Sequence, residues 1–400
     1  MISKRTIRDL TDAEVSGKRT LVRVDFNVPL DDAGNVTDDT RIRAALPTID
    51  ALVAKGARIV LLSHLGRPKG RPEPKYSLAP VAKRLGELTK HPVRFVAALD
   101  NDEAVAATQE LHPGEILLLE NTRFSGGEEK NDDALAKALA RLGDVYVNDA
   151  FGAAHRAHSS TAGVASHLRP AVAGLLMEKE LEYLGAALSN PQHPFIAILG
   201  GAKISGKIDV IEALLPKVDG LLIGGAMANT FYKAMGLETG KSFVEPDRVE
   251  LAKSLLDRAA YRLTLPHDAV VAASLEQATT AHAVRRDAIP PNEAMFDIGP
   301  DTIRSYARAI TTAKTILWNG PMGVFETKPF DAGTNAVAQA MAEATAKGAT
   351  TIVGGGDSAA AVTEAGLERR MSHVSTGGGA SLEFLEGKPL PGVDALEDRR

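Results

Sequence analysis

The stretch FIAILGGAKISGKIDV, residues 195–210, predicts the fold of the chain around it. Its apolar start is typical of a buried β-strand, its glycines predict a tight turn, and the residues after Lys207 indicate the start of a helix. Similar apolar runs, separated by longer Ala- and Leu-rich stretches, occur from end to end: TLVRVDF (20–26), ARIVLLS (57–63), EILLLE (115–120), DVYVNDAF (144–151), DGLLIGG (219–225), TILWNG (315–320) and TTIVGGG (350–356). Strands that alternate with helices predict an α/β fold with parallel sheets that are covered by helices on both faces.

The length and one change of pattern predict two domains. Four hundred residues exceed a single typical domain. The charged helical stretch EKELEYLGAALS (178–189) leads into NPQHP (190–194) before a new apolar strand begins. We therefore expect a first domain over 1–178, a connecting helix over 179–192, a second domain over 193–380 and an extended tail over 381–400 that docks elsewhere.

Composition excludes several classes of function. The 46 Lys and Arg against 51 Asp and Glu give a net charge of −5, and neither half is basic enough to bind nucleic acid. The absence of cysteine excludes disulfides, thiolate metal sites and a cysteine nucleophile. The charged N-terminus lacks the apolar core of a signal peptide, and runs such as AVAGLLM (171–177) are too short to span a membrane. We expect a cytoplasmic protein with no membrane or nucleic-acid partner.

In the first half, arginines and histidines follow the predicted strands. Strand alternation in RVDFNVP (23–29) places Arg23, Asp25 and Asn27 on one face. The other candidates stand at strand ends or helix starts: Arg41, His64, Arg67, Arg123, His155, Arg156 and His158. Parallel strands point the same way, so these groups should converge at one edge of the sheet and bind a small polyanion. A half-buried strand, or an internal salt-bridge network with Asp25 and Asp149, remains the alternative.

In the second half, glycine turns follow the strands. The turn at 200–207 resembles a phosphate-binding P-loop, but Ile208 stands where Ser or Thr would hold magnesium, which argues against a P-loop NTPase. Its backbone amides, with Lys203 and Lys207, still indicate an anion site. Three consecutive glycines at 377–379 indicate a second close approach of the backbone to an anion.

The turn GGGDSA (354–359) matches the dinucleotide pattern G-x-G-x-x-A. Asp357 within the turn would repel a pyrophosphate unless a divalent cation joined them, which favours a magnesium nucleotide over NAD. An ordinary helix N-cap at this turn and an NAD-dependent dehydrogenase remain alternatives.

A polyanion site in one half and a magnesium nucleotide site in the other indicate phosphoryl transfer. No residue is a persuasive general base, because Asp25 is equally suited to bind a hydroxyl group, so we favour a carboxylate as the acceptor. The alternative is a regulatory nucleotide-binding module without catalysis. Such a module would be expected to lack Arg41, Lys203 or Asp357, and all three are present.

Almost the whole chain resembles the phosphoglycerate kinase family. The matching segments occur in the family's order and spacing: RVDFNVP (23–29), DDTRIRAALPTI (38–49), SHLGRP (63–68), ENTRF (120–124), NDAFGAAHRAHSS (148–160), LGGAKISGKI (199–208), WNGPMGVFE (318–326), GGGDS (354–358) and STGGGASLEFLEG (375–387). The segment between Leu263 and Pro291 matches only loosely, and Ser358 stands where relatives carry Thr.

The resemblance implies reversible phosphoryl transfer in glycolysis from 1,3-bisphosphoglycerate to MgADP, which gives 3-phosphoglycerate and MgATP. It implies Mg²⁺ as part of the nucleotide substrate and no general base. It also implies two Rossmann-like three-layer domains, joined by a hinge helix that lets them close, and a tail that returns to the first domain. We expect a monomer.

The resemblance also implies roles for residues at the matching positions. The catalytic residues would be Arg41 and Lys203. The phosphoglycerate would be bound by Asp25, Asn27, Arg41, His64, Leu65, Gly66, Arg67, Arg123 and Arg156. The nucleotide would be bound by Gly201, Ala202, Lys207, Gly224, Gly225, Asn319, Pro321, Val324, Glu326, Gly355, Gly356, Asp357 and Ser358. Asp357 would hold the magnesium ion, and the amides of Gly356, Gly378 and Gly379 would face the phosphates.

Overall fold

The computed structural model describes residues 3–399 and divides into two units. Unit 1 contains the chain up to Glu182 and the segment from Pro389 onward, and unit 2 contains Tyr183–Lys388. Each unit is built on a six-stranded parallel sheet, so the predicted α/β class with parallel sheets is confirmed.

Unit 1 alternates strands and helices along most of its length. Its elements are α1 (Asp12–Val15), β1 (Arg19–Arg23), α2 (Thr40–Ala54), β2 (Arg58–Leu62), α3 (Ala79–Leu88), β3 (Val93–Val96), α4 (Asp102–Gln109), β4 (Ile116–Leu119), α5 (Asp133–Ala140), β5 (Val145–Asn148), β6 (Ala171–Ala173) and α6 (Leu175–Ser189). The division between the units falls within α6.

The sheet of unit 1 has the strand order β3-β4-β2-β1-β5-β6, with every pairing parallel. Its central strands are buried on both faces, as in the run Ile59–Leu62, because helices cover each side of such a sheet. One large apolar cluster joins Val22, Ile42 and Leu61 from three different elements. The carboxyl ends of β1, β2, β4 and β5 therefore lie side by side at one edge.

Unit 2 repeats this design and adds a small second sheet. Its elements are β7 (Phe195–Leu199), α7 (Ile208–Leu214), β8 (Gly220–Ile223), α8 (Met227–Ala234), α9 (Val249–Ala259), β9 (Leu263–Thr264), β10 (Asp268–Ala272), β11 (His282–Arg285), β12 (Ala294–Ile298), α10 (Pro300–Thr312), β13 (Thr315–Asn319), α11 (Ala332–Ala346), β14 (Thr350–Gly354), α12 (Gly356–Glu364), β15 (His373–Val374) and α13 (Gly379–Leu385). The parallel sheet has the order β15-β14-β13-β7-β8-β9.

The loosely matching segment between Leu263 and Pro291 contributes to a three-stranded antiparallel sheet of order β11-β10-β12. The sequence analysis did not predict this sheet. The pattern offered little signal, because β11 is mostly exposed and so lacks an apolar run.

The C-terminal segment belongs to unit 1. It contains the short helix α14 (Pro391–Asp394), and it buries Leu390, Val393 and Leu396. The side-chain amide of Asn148, at the end of β5, donates a hydrogen bond of 3.0 Å to the carbonyl of Gly392. Among residues 3–399, no helix has both the length and the apolar character needed to cross a lipid bilayer.

Candidate active site

In unit 1 the candidate residues follow the carboxyl ends of neighbouring strands. Strand β1 ends at Arg23, and Asp25 and Asn27 come next in an extended segment that is not part of the sheet. The predicted strand therefore stops earlier than the alternation of RVDFNVP suggests, although Val24, Phe26 and Val28 are buried as that alternation predicts. His64, Arg123 and Arg156 come after the ends of β2, β4 and β5.

Hydrogen bonds join five of these residues into one cluster. Arg41, in the first turn of α2, donates from Nη1 to Asp25 Oδ2 at 2.8 Å. The Asp25 carboxylate also accepts from the amide of Asn27 at 3.1 Å, and Asn27 Oδ1 accepts from the amide of Gly66 at 2.9 Å. The carbonyl of Gly66 accepts from Arg123 Nη1 at 2.8 Å. The structure therefore brings together side chains that are up to 98 positions apart in the sequence.

Burial and charge set the protonation of this cluster. Burial alone would raise the pKa of Asp25, but the neighbouring Arg41 and Arg23 guanidinium groups hold it below its usual range. Burial, reinforced by the nearby arginines, lowers the pKa of His64 well below its usual value. At neutral pH the cluster therefore presents an ionised Asp25, a neutral His64 and several guanidinium groups.

Other predicted residues of unit 1 differ in exposure. Arg67 and Arg156 are exposed, and Arg156 Nε contacts the His155 ring at 3.2 Å. Leu65 is buried in the apolar core, and both its amide and its carbonyl bond to the side chain of Asn121. Leu65 therefore contributes packing behind the cluster rather than a free polar group.

The salt-bridge alternative describes part of the cluster. Arg41 pairs with Asp25, and Arg123 lies 3.3 Å from Glu129. Asp149, the other partner considered from the sequence, accepts instead from the amides of Leu176 and Met177 at the start of α6.

In unit 2 the glycine turns pack against one another at the carboxyl ends of β7, β8 and β13. The amide of Gly201 donates to the carbonyl of Pro321 at 2.9 Å, and the amide of Gly225 donates to the carbonyl of Met322 at 2.9 Å. A Cβ atom at Gly225 would lie 2.4 Å from the carbonyl oxygen of Gly201, and one at Gly224 would lie 2.4 Å from the sulfur of Met322. Only glycine allows the backbones to approach this closely.

Lys207 joins two of these turns. Its ammonium group donates to Asn319 Oδ1 at the end of β13. Burial lowers the pKa of Lys207 to about 8, against the opposing attraction of Asp357 and Glu386. Lys203, four positions earlier, is exposed. The two lysines therefore differ in exposure: Lys203 reaches solvent, whereas Lys207 is partly buried and bonded to Asn319.

The turn after β14 presents its backbone and one carboxylate. Gly355 has a φ of 89°, which favours glycine, and helix α12 begins at Gly356 with Asp357 exposed in its first turn. Ser358 is fully buried, and its hydroxyl accepts from the amide of Gly320 at 2.6 Å. Its side chain therefore holds the turn after β13 and does not face solvent.

The remaining predicted residues of unit 2 lie in nearby turns. Ala202 and Glu326 are exposed, and Val324 is half-buried with its amide bonded to the carbonyl of Phe296. Gly378, with a φ of 51°, precedes α13, which begins at Gly379 and contacts α7. The backbones of Gly378 and Gly379 thus lie on an element that packs against the helix after Lys207.

The protein ligands available near Asp357 could bind magnesium only when a nucleotide supplies the remaining ligands. No cluster of three acidic or histidine side chains that could hold a metal occurs within residues 3–399. Mg²⁺ bound to a nucleotide needs one or two protein carboxylates, because phosphate oxygens and waters supply its other ligands. The single exposed carboxylate of Asp357 beside a glycine turn fits this requirement.

Two residues that organise the site of unit 1 were not among the ligand-binding residues that the sequence analysis assigned. Asn121 bonds to the backbones of Leu65, Tyr76 and Arg123 and so fixes the loop after β2 against the loop after β4. Arg23 is fully buried and contacts His64. An arginine inside an apolar strand was the signal available for Arg23, because a buried charge needs partners.

Comparisons with known proteins agree with this geometry. The family model described as phosphoglycerate kinase matches residues 10–388. The chain is 60% identical to the phosphoglycerate kinase of Chloroflexus aggregans, over 99% of this chain and 100% of that protein. It is 57% identical to the phosphoglycerate kinase of Chlorobium phaeovibrioides, over 99% and 100%.

Solved structures give the same result. The phosphoglycerate kinase of Coxiella burnetii has a TM-score of 0.86 at 44% identity, with 98% of this chain and 99% of that chain covered. The enzyme of Pyrococcus horikoshii OT3 has a TM-score of 0.86 at 34% identity, with 98% of each chain covered. These matches exclude the dehydrogenase alternative and show that the chain belongs to the phosphoglycerate kinase family of phosphotransferases.

Proposed function

We propose that the chain transfers a phosphoryl group reversibly from 1,3-bisphosphoglycerate to MgADP, giving 3-phosphoglycerate and MgATP. The observation that carries this proposal is the different chemistry at the strand ends of the two units. Unit 1 clusters guanidinium groups around Asp25, Asn27 and Gly66. Unit 2 packs glycine turns around Lys207 and places Asp357 at a helix start.

In this proposal unit 1 binds the phosphoglycerate. The exposed Arg67 and Arg156 bind its phosphate together with the buried Arg123, since a guanidinium group can bind two phosphate oxygens at once. Asp25 and Asn27 bind the glycerate hydroxyl, and His64 supports the same pocket. Arg41 lies beside the carboxyl group at which transfer takes place.

Unit 2 binds the nucleotide. Lys207 and the turn at 355–358 bind its phosphates, with Asp357 on the magnesium ion, and the turns at Gly201, Gly225 and Asn319 receive the nucleoside. Glu326 lies near the ribose. The exposed Lys203 follows the phosphoryl group during transfer, because a flexible ammonium group can stay with a moving charge.

The transfer needs positioning and charge neutralisation rather than a general base. The acceptor carboxylate of 3-phosphoglycerate is already ionised near neutral pH, and Asp25 is paired with Arg41. We propose in-line transfer after the two units close about a hinge in α6. Closure would exclude water that otherwise hydrolyses the acyl phosphate.

A coupled assay of 3-phosphoglycerate-dependent ATP consumption tests this function. We expect turnover with Mg²⁺, and loss of turnover when EDTA removes it.

Arg41→Ala should lower kcat by about 10²-fold or more, as expected for loss of a charged group that acts in the transition state. Arg43→Ala is the matched control, because Arg43 is exposed on the same helix and pairs with Asp39. ATP consumption that does not depend on 3-phosphoglycerate would contradict the proposal.

A further inference from the structure

Arg23 is an arginine with no exposed surface. Its guanidinium group makes three contacts inside unit 1: Nε donates to Ser160 Oγ at 2.7 Å, Nη1 donates to the carbonyl of Val24 at 2.5 Å, and Nη2 lies 3.1 Å from His64 Nδ1. A side chain that is fully enclosed does not touch a ligand itself. Any influence of Arg23 on the site passes through the residues that it contacts.

A second buried charge balances Arg23. Glu128 is also fully buried, and its carboxylate accepts from both the hydroxyl of Ser160 at 2.5 Å and the amide of Ser160 at 3.0 Å. The Ser160 hydroxyl therefore accepts from Arg23 and donates to Glu128. A buried charge without a partner is strongly destabilising, so this chain of contacts fixes the position of the guanidinium group.

The hydrogen bond between Arg23 and His64 can run in only one direction. A guanidinium group has donors and no acceptor, so His64 Nδ1 must be the acceptor. The ring is then neutral and carries its proton on Nε2. The lowered pKa of His64, which follows from burial and from the charges of Arg23, Arg41 and Arg123, is consistent with a neutral ring even though Asp25 faces it.

We propose that Arg23, held by Glu128 through Ser160, is a positioning residue that fixes His64 as the neutral tautomer with its proton on Nε2. His64 then offers one hydrogen-bond donor of fixed direction to the anionic substrate and adds no further positive charge to the arginine cluster. This inference rests on the proposed function in one respect, namely that His64 binds the phosphoglycerate.

The tautomer itself is measurable without substrate. In ¹⁵N spectra of protein labelled at its histidines, the His64 signals are identified by their loss in His64→Gln, since the chain has 10 histidines. We expect an unprotonated, hydrogen-bonded Nδ1 and a protonated Nε2 at neutral pH. A proton on Nδ1, or a doubly protonated ring, would overturn the inference even if the enzyme were fully active.

Variants then test whether Glu128 and Arg23 control the tautomer of His64. Arg23→Met with Glu128→Gln removes both buried charges together, which keeps the interior free of an unpaired ion. We expect mixed His64 tautomers and a KM for 3-phosphoglycerate that is raised roughly threefold to tenfold, the range for one lost hydrogen bond. The KM for ATP should not change, because Arg23 has no contact with unit 2 residues among its hydrogen bonds.

A milder pair of variants decides the matter if the double variant does not fold. Ser160→Ala breaks the link between Arg23 and Glu128, whereas Ser159→Ala removes a neighbouring hydroxyl that bonds only to the carbonyls of Gly127 and Asp132. We expect the altered His64 spectrum and the raised KM in Ser160→Ala alone. If the two variants had the same His64 spectrum and the same KM, the proposed link from Glu128 through Ser160 to Arg23 would be refuted. Absence of 3-phosphoglycerate-dependent turnover in the unaltered protein would refute the proposed function instead, whatever the tautomer.

Discussion

Lys203 and Lys207 stand four positions apart and have different environments. Lys203 extends into solvent, whereas Lys207 is largely buried and bonded to Asn319. The first lysine is suited to move with a transferred group, and the second to hold a ligand that stays in place. Their different roles in our proposal follow from burial rather than from residue type.

Lys203→Ala should lower kcat by about 10²- to 10³-fold, because it removes a positive charge that acts on the transition state. The KM values for 3-phosphoglycerate and ATP should stay within a few-fold of those of the unaltered protein. Steady-state kinetics measure both. Lys253→Ala, on the exposed face of α9, is the control. Near-normal turnover in Lys203→Ala would contradict its role.

Lys207 should give nucleotide binding a dependence on pH. Burial lowers its pKa to about 8, so above pH 8 the free enzyme loses the ammonium charge that the phosphates need. The KM for ATP should therefore rise between pH 8 and 9.5, by up to about tenfold per pH unit. Lys207→Arg keeps its charge over this range, so its KM for ATP should not change with pH. A flat profile in the unaltered protein would show that Lys207 is not the titrating group.

At the scale of elements, the turn after β8 depends on a glycine. Gly225 has a φ of 70°, and an added Cβ would meet the backbone of Gly201. Gly225→Ala should displace the two turns and raise the KM for ATP by about tenfold or more. Gly236→Ala is the matched control, since its φ of 77° gives the same strain of about 1–2 kcal/mol but no neighbour lies within 4 Å. Similar KM values in both variants would argue against a nucleotide site at this turn.

Helix α6 begins on a buried carboxylate. Asp149 Oδ1 accepts from the amides of Leu176 at 2.9 Å and Met177 at 3.1 Å, and burial raises its pKa to about 6. The unfolded chain ionises this group near pH 3.9. Its contribution to stability is therefore most favourable below about pH 4 and declines as the pH rises through 6.

Asp149→Asn tests the direction of this pH dependence of stability. In the variant the amide oxygen still accepts from the backbone of α6, but the side chain cannot ionise. The free energy of unfolding of the variant, relative to the unaltered protein, should increase by about 2 kcal/mol from pH 4.5 to pH 7.5. Urea denaturation at the two pH values measures the difference. A difference that is independent of pH would mean that Asp149 is ionised in the folded protein throughout.

Much of the element pattern could be predicted from the sequence. Eight of the twelve strands in the two parallel sheets are visible as apolar runs, because helices cover both faces of each sheet. The edge strands β3, β6, β9 and β15 were not predicted. Strand order could not be read, since pairing joins distant segments such as β1 and β5. The end of β1 at Arg23 was missed because the buried alternation continues into the extended segment that follows it.

For the site, the sequence predicts the location but not the contacts of each side chain. Its location at strand ends follows from the topology of parallel sheets. The partners of individual side chains do not, because they depend on packing: Arg67 and Arg123 both follow strand ends, yet one is exposed and the other is buried against Gly66. The ligand roles of these residues stay predictions until the variants are measured.

At the scale of the whole molecule, unit 1 is completed by the end of the chain. Leu390, Val393 and Leu396 are buried in it, and the burial of each contributes about 1.5 to 3 kcal/mol. Deletion of 389–400 should therefore destabilise unit 1 by several kcal/mol and lower the affinity for 3-phosphoglycerate. Unit 2 should keep its affinity for MgADP, because its residues are continuous from Tyr183 to Lys388.

Calorimetry and titration with each ligand measure these effects. Deletion of 399–400 is the control, because among the described residues it removes the surface ion pairs of Arg399 with Asp9 and Glu178 and one backbone hydrogen bond to Ser3. A surface ion pair is worth at most about 1 kcal/mol. Unchanged melting and unchanged 3-phosphoglycerate affinity after deletion of 389–400 would contradict this account of the tail.

The return of the tail to unit 1 also sets an order of events during synthesis. Tyr183–Lys388 leaves the ribosome as one uninterrupted piece, ahead of the segment that contains Leu390, Val393 and Leu396. The N-terminal part of unit 1 emerges first but lacks these three buried side chains until unit 2 has been made. The core of unit 1 can therefore be completed only after the synthesis of unit 2.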